Sequence, residues 1–127
     1  MATITAKLTL TSTDWHSDSL SIAPSQTLTI SGDEQAVGRF TTSTTDAKIP
    51  VGAFDSTDKK VWVYLKNMST TSAEKIWITE DNSGSTGVTM MCLGAGEWCF
   101  FPYAANDNLW CNSASGAPVI EYGIFEV

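Results

Sequence analysis

Val61-Trp62-Val63-Tyr64-Leu65-Lys66-Asn67 puts Val61, Val63 and Leu65 on one side of an extended chain and Trp62, Tyr64 and Lys66 on the other. Side chains along a strand point alternately to opposite faces, so this pattern predicts a strand whose two faces meet different surroundings. Its β-branched and aromatic residues suit a pleated surface. Working outward, Ile76 and Ile78 alternate with Trp77 in the next strand, and a polar stretch of Gly and Ser from Glu80 to Gly87 reads as a turn or loop.

The same period recurs along the chain. Ile4, Ala6, Leu8 and Leu10 alternate with Thr3, Thr5, Lys7 and Thr9, which predicts a strand over 3–10. Shorter strands are expected around Leu20 and Ile22, over 27–31, over 36–42 and over 48–51. After residue 87, further strands are expected at 88–93, 97–102, 109–112 and 118–127. No helical pattern of ten or more residues is present. Nine to eleven short strands separated by Gly, Asn, Asp, Ser and Pro predict an all-β fold. The expected architecture is an antiparallel β-sandwich, jelly-roll-like, with residues 1–127 as one domain.

Composition narrows the function. Charged residues are only 17% of the chain, against ~25% in ordinary soluble proteins. Serine and threonine fill the polar places. The formal net charge is −7, and no Lys or Arg follows Lys75. Binding to nucleic acid requires a basic footprint that displaces counterions, so no nucleic-acid partner is expected. An anionic membrane surface is disfavoured for the same reason. No apolar run approaches the ~20 residues that span a bilayer, and the start of the chain lacks a signal-peptide pattern. Synthesis in a cytoplasm is expected.

Candidate chemistry is sparse. His16 is the only histidine and sits in Asp14-Trp15-His16-Ser17-Asp18, which reads as a polar loop. No G-x-S-x-G or H-E-x-x-H pattern is present. Cys92, Cys99 and Cys111 lack C-x₂₋₄-C spacing, so no metal site is expected. The acidic clusters Asp33-Glu34, Asp55 with Asp58, and Glu80-Asp81-Asn82 match no calcium loop and read as turn residues. The chain is therefore read as no enzyme, with no catalytic residue and no cofactor. Leu93-Gly94-Ala95-Gly96-Glu97-Trp98 reads as a tight hairpin with Ala95-Gly96 at its turn. That hairpin would set Cys92 opposite Cys99, either as a disulfide or as two small buried thiols.

The tryptophans stand out. There are five, Trp15, Trp62, Trp77, Trp98 and Trp110. Trp62 and Tyr64 oppose Val61, Val63 and Leu65, and Trp77 opposes Ile76 and Ile78. Both faces of these strands therefore need cover: one from the sandwich, the other from an overlying strand, a partner subunit or a ligand. Aromatic residues are enriched at interfaces. Trp15, Trp62, Tyr64, Trp77 and Trp110 are taken as the candidate interface, with core packing and sugar stacking as the alternatives.

Three segments together carry a resemblance: Val63-Tyr64-Leu65-Lys66-Asn67, then Leu93-Gly94-Ala95-Gly96-Glu97-Trp98-Cys99-Phe100-Phe101-Pro102, then Val119-Ile120-Glu121-Tyr122-Gly123-Ile124-Phe125. Their order is similar to that in small β-rich proteins of tailed phages of marine and freshwater bacteria, cyanophages among them. Those have a YLKN-like strand, an L-x-P-G-E-aromatic hairpin and a terminal EYG-aromatic strand. Here Gly94-Ala95-Gly96 stands where that pattern has x-Pro-Gly. The resemblance covers about half the chain, chiefly residues 61–127. It implies a virion component on the capsid surface: a decoration, or cement, protein that binds the major capsid protein and itself as a homo-oligomer, a trimer. The alternative is a receptor- or carbohydrate-binding module of a phage fibre.

Overall fold

The structure is a computed structural model and describes residues 2–13, 20–30, 35–49, 60–80, 88–104 and 109–127. Among the described residues there are twelve strands and no helix, hence no helix long and apolar enough to cross a membrane. Every strand pair is antiparallel. The contacts group the chain into two compact units, residues 1–31 with 127 and residues 32–126.

The first unit is a two-stranded ribbon. Strand β1 (Ala2–Lys7) pairs with β4 (Ser25–Ile30), and β2 (Leu10–Ser12) pairs with β3 (Leu20–Ile22). Register sets Thr3 against Thr29 and Thr5 against Thr27 on one face. Ala2 against Ile30 and Ile4 against Leu28 occupy the other. The expected strand over 3–10 is interrupted at Leu8 and Thr9. Pro24 lies in the opposite chain there and has no N–H for the ladder. Its carbonyl instead accepts the Leu8 N–H at 3.2 Å.

The second unit is a β-sandwich of two four-stranded sheets. Its strands are β5 (Gln35–Thr41), β6 (Ala47–Lys48), β7 (Lys60–Asn67), β8 (Ile76–Glu80), β9 (Val88–Leu93), β10 (Trp98–Ala104), β11 (Leu109–Ser113) and β12 (Val119–Glu126). One sheet runs β10-β7-β12-β5 and the other β6-β11-β8-β9. The pairs β5 with β12, β6 with β11, β7 with β10 and β8 with β9 are nested, as in one long ribbon folded back and rolled up.

The inner faces make the core. Val61, Val63 and Leu65 of β7 and Ile120 and Ile124 of β12 meet Ile76 and Ile78 of β8, Leu93 of β9, and Leu109 and Cys111 of β11. All are buried, so burial follows the alternation read in the sequence. Each such side chain contributes about 1.5–3 kcal/mol by leaving water.

The expected hairpin at 93–98 does not form. Leu93 pairs with Ile76 in one sheet, whereas Trp98 pairs with Lys66 in the other. The turn is real: Glu97 N–H donates to Gly94 O at 3.1 Å, and Gly96 has φ +74°. A positive φ at the third place is what a type II turn requires, so glycine is needed there. The turn carries the chain from sheet to sheet because each flanking strand has an apolar partner elsewhere. Asn67 anchors the crossing, its N–H donating to Glu97 O at 3.0 Å and its carbonyl accepting Gly96 N–H at 3.1 Å. Cys92 therefore faces Trp77, Cys99 faces Leu65, and all three cysteines are free.

Candidate functional site

With the inner faces filled, the residues left over by the alternation point outward. On the β10-β7-β12-β5 sheet, register sets Trp98 beside Lys66, Phe100 beside Tyr64, and Pro102 beside Trp62. On the other side of β7, Phe125 stands beside Trp62 and Glu121 beside Lys66. Trp62 and Phe100 stack with ring centres 5.0 Å apart and planes 21° apart. Lys60 Nζ lies 5.6 Å from the centre of the Trp62 ring, a cation–π contact. Trp98 is 54% exposed, although an indole of that size is usually well buried. A Cβ on Gly123 would stand 3.1 Å from the Phe125 ring, so glycine there leaves room for that ring on the sheet.

Polar groups frame these rings. Arg39 Nε donates to Glu121 Oε2 at 2.7 Å, and its Nη2 lies 2.5 Å from the same oxygen. Tyr64 OH donates to Glu121 Oε1 at 3.3 Å. Burial first, and then the Glu121 carboxylate, push the Tyr64 hydroxyl above its ordinary pKa. The Arg39 hydrogen bond holds Glu121 below the usual carboxylate value. A depressed carboxylate stabilises the fold above its unfolded pKa, ~4.3, and stops doing so as pH falls through its lower folded value. Thermal melts of wild type and Glu121→Gln should therefore differ at pH 7 and converge under acid. A constant difference down to pH 2 would remove Arg39–Glu121 as the cause.

The β6-β11-β8-β9 sheet has a second, smaller aromatic face. Trp110 faces Thr79 and Asn112 faces Trp77 across the β11–β8 pair, and Lys48 faces Trp110 on β6. Trp77 is 38% exposed. Asn112 Nδ2 donates to Asp46 Oδ1 at 2.6 Å. The Trp62 and Trp110 indole N–H groups are buried without an acceptor.

The candidate interface residues thus do not form one patch. Trp62 and Tyr64 lie on one outward face of the sandwich, and Trp77 and Trp110 lie on the opposite one. Trp15 and His16 lie outside the described residues, as do Asp33, Glu34, Asp55, Asp58, Asp81 and Asn82. Trp98, Phe100, Pro102 and Phe125 belong to the larger face but were not among the expected interface residues. Strand β10 is apolar on both sides, Cys99, Phe101 and Tyr103 pointing inward, so alternation alone could not sort it. The register to β7 sorts it.

The cysteines are separated. Cys92 points outward on β9, while Cys99 and Cys111 point inward on different sheets. Burial pushes the Cys99 thiol up to about 11. Burial and then Asp46 push the Cys111 thiol up to about 12. The thiolate is the reactive form, so these two should react slowly in the native protein. Native titration with a thiol reagent at pH 8 should show at most Cys92 reacting fast, and denaturation should release three thiols per chain. Fewer than three would mean a bridge.

Compared with protein families, with curated proteins and with solved structures, the chain matches none.

Proposed function

We propose that this chain is a non-enzymatic structural protein of a phage virion, a decoration protein that binds and stabilises the major capsid protein lattice. The observation that carries this reading is the aromatic cover on both outward faces of a sandwich whose core is already filled. A free-standing sandwich keeps its outer faces polar; one wedged among neighbours can bury aromatic rings there on both sides. The resemblance of residues 63–67, 93–102 and 119–125 to small phage proteins points the same way. In this reading the protein is made in the host cytoplasm and sits on the capsid surface as a homo-oligomer, a trimer. Its rigid core transmits load between capsid subunits, and its aromatic faces supply the contact area.

Mass spectrometry of purified particles of the parent phage tests the reading. The chain should be present in a fixed ratio to the major capsid protein, and its absence would end the proposal. The rival reading, a carbohydrate-binding module of a fibre, draws on the exposed ring of Trp98. Titrating host polysaccharide while following tryptophan fluorescence separates the two. A saturable shift would favour the module.

A further inference from the structure

The aromatic face of the β10-β7-β12-β5 sheet differs in charge from the chain that carries it. Three of the chain's seven basic residues, Arg39, Lys60 and Lys66, point outward from this sheet by register. Of the fourteen acidic residues, Glu121 alone points outward from it among the described residues. The face is thus basic on a chain of net charge −7.

Its hydrogen-bonding capacity is one-sided as well. Lys60 and Lys66 offer ammonium donors, and Trp98 offers an indole donor. The carboxylate of Glu121 is the acceptor, and it is already engaged by Arg39 and by Tyr64. A neutral sugar needs several acceptors for its hydroxyl protons, and the one carboxylate on this face among the described residues is already engaged. A polyanion such as nucleic acid needs many cations, and two lysines on a strongly acidic chain would not hold it. What fits is an apolar surface bearing a few carboxylates.

We propose that this face binds a different protein, through an apolar patch flanked by carboxylates. Trp98, Phe100 and Phe125 would bury against the patch, and Lys60 and Lys66 would pair with the acids. A second copy of this chain does not fit. A two-fold pairing of the face with itself would bring two basic faces together. The outward face of the other sheet carries Lys48, and the Asp46 carboxylate beside it is already engaged by Asn112. The proposal deepens the virion reading by naming the chemistry of the bound neighbour, and it rests on that reading for the neighbour's identity alone.

A library of random twelve-residue peptides, selected on the immobilised full chain, tests it. Selected peptides should be enriched several-fold in Asp and Glu next to aromatic or aliphatic residues. Synthetic copies should lose at least tenfold in affinity to Trp98→Ser and to the double variant Lys60→Glu, Lys66→Glu. Both variants change exposed or rim positions, and an unchanged thermal melt shows that they fold. Peptides without acidic bias, or peptides that bind both variants as well as wild type, would overturn the proposal. So would tighter binding of oligo(dT) or of a neutral glucan to the same face. A homo-oligomer that either variant dissociates would assign the face to a second copy and overturn it too. The peptide result and the particle composition are independent, so the face and the virion role can fail separately.

Discussion

Replacing Asn67 by Leu should destabilise the sandwich by about 4 kcal/mol. Asn67 is fully buried at the end of β7. Its Nδ2 donates to Glu74 O at 2.7 Å and to Leu93 O at 3.1 Å, and its Oδ1 accepts Ser69 N–H at 3.0 Å. Leucine has the same branched heavy-atom skeleton, with bulkier methyl groups, but none of these polar groups. Two carbonyls and one N–H would be left in a dry site, each costing about 1–3 kcal/mol when unpaired. The loss also loosens the 68–75 connection and the turn at 94–97, both of which are bonded to this residue. For a unit of this size the melting temperature should fall by roughly 20 °C. Urea denaturation followed by tryptophan fluorescence gives the free energy directly. A loss below about 1 kcal/mol would show that water replaces the side chain, and that Asn67 does not hold the crossing.

That residue also marks where reading the sequence stops. Alternation along β7 predicts the inner face through Leu65, and on the same count Asn67 falls inward. A polar residue at the end of a strand reads as a turn former, and the Ser69 N–H bond is of that local kind, but nothing local says that the Glu74 and Leu93 carbonyls converge on it as well. The same limit explains the hairpin error at 93–98. Gly94 to Glu97 announce a turn, and a turn is present, but local residues cannot tell a chain that returns to its own sheet from one that crosses to the opposite sheet. That choice depends on β7 and β8, which lie earlier in the chain and provide the pairing partners for β10 and β9. The strands themselves were legible because each carries its own period. The expected strand at 3–10 is interrupted where Pro24 faces it from another segment, and residues 50–51 of the one expected over 48–51 lie outside the described residues.

The aromatic faces divide in the same way. Trp62, Tyr64 and Trp77 could be placed outward from the sequence, since each alternates with plainly apolar neighbours. Trp98 and Phe100 could not, because Cys99 and Phe101 are apolar too. Their membership depends on pairing with Lys66 and Tyr64, which is a long-range fact. Such membership bears on the proposed docking, because a single outward indole is an ordinary surface residue, whereas six ring or proline positions share one face here.

The alternation on β7 makes its own strong prediction. Leu65→Ala should cost about 3–4 kcal/mol, whereas Lys66→Ala, one position along, should cost less than about 0.5 kcal/mol. Leu65 is fully buried between the two sheets, beside Cys99 and Tyr122 in the register. Truncating it removes three carbons from the apolar core and leaves a cavity that neighbouring strands cannot close without breaking ladder hydrogen bonds. Lys66 points to the outer face, where its ammonium reaches water. The two substitutions differ by one step along the strand, so strand propensity and sequence context are nearly constant and the inner-versus-outer assignment is what differs. Equal slopes of free energy against denaturant for both variants would confirm that the denatured states match. If Lys66→Ala proved the more costly of the two, the sandwich would be filled from the other side. The aromatic face would then be its core rather than its docking surface.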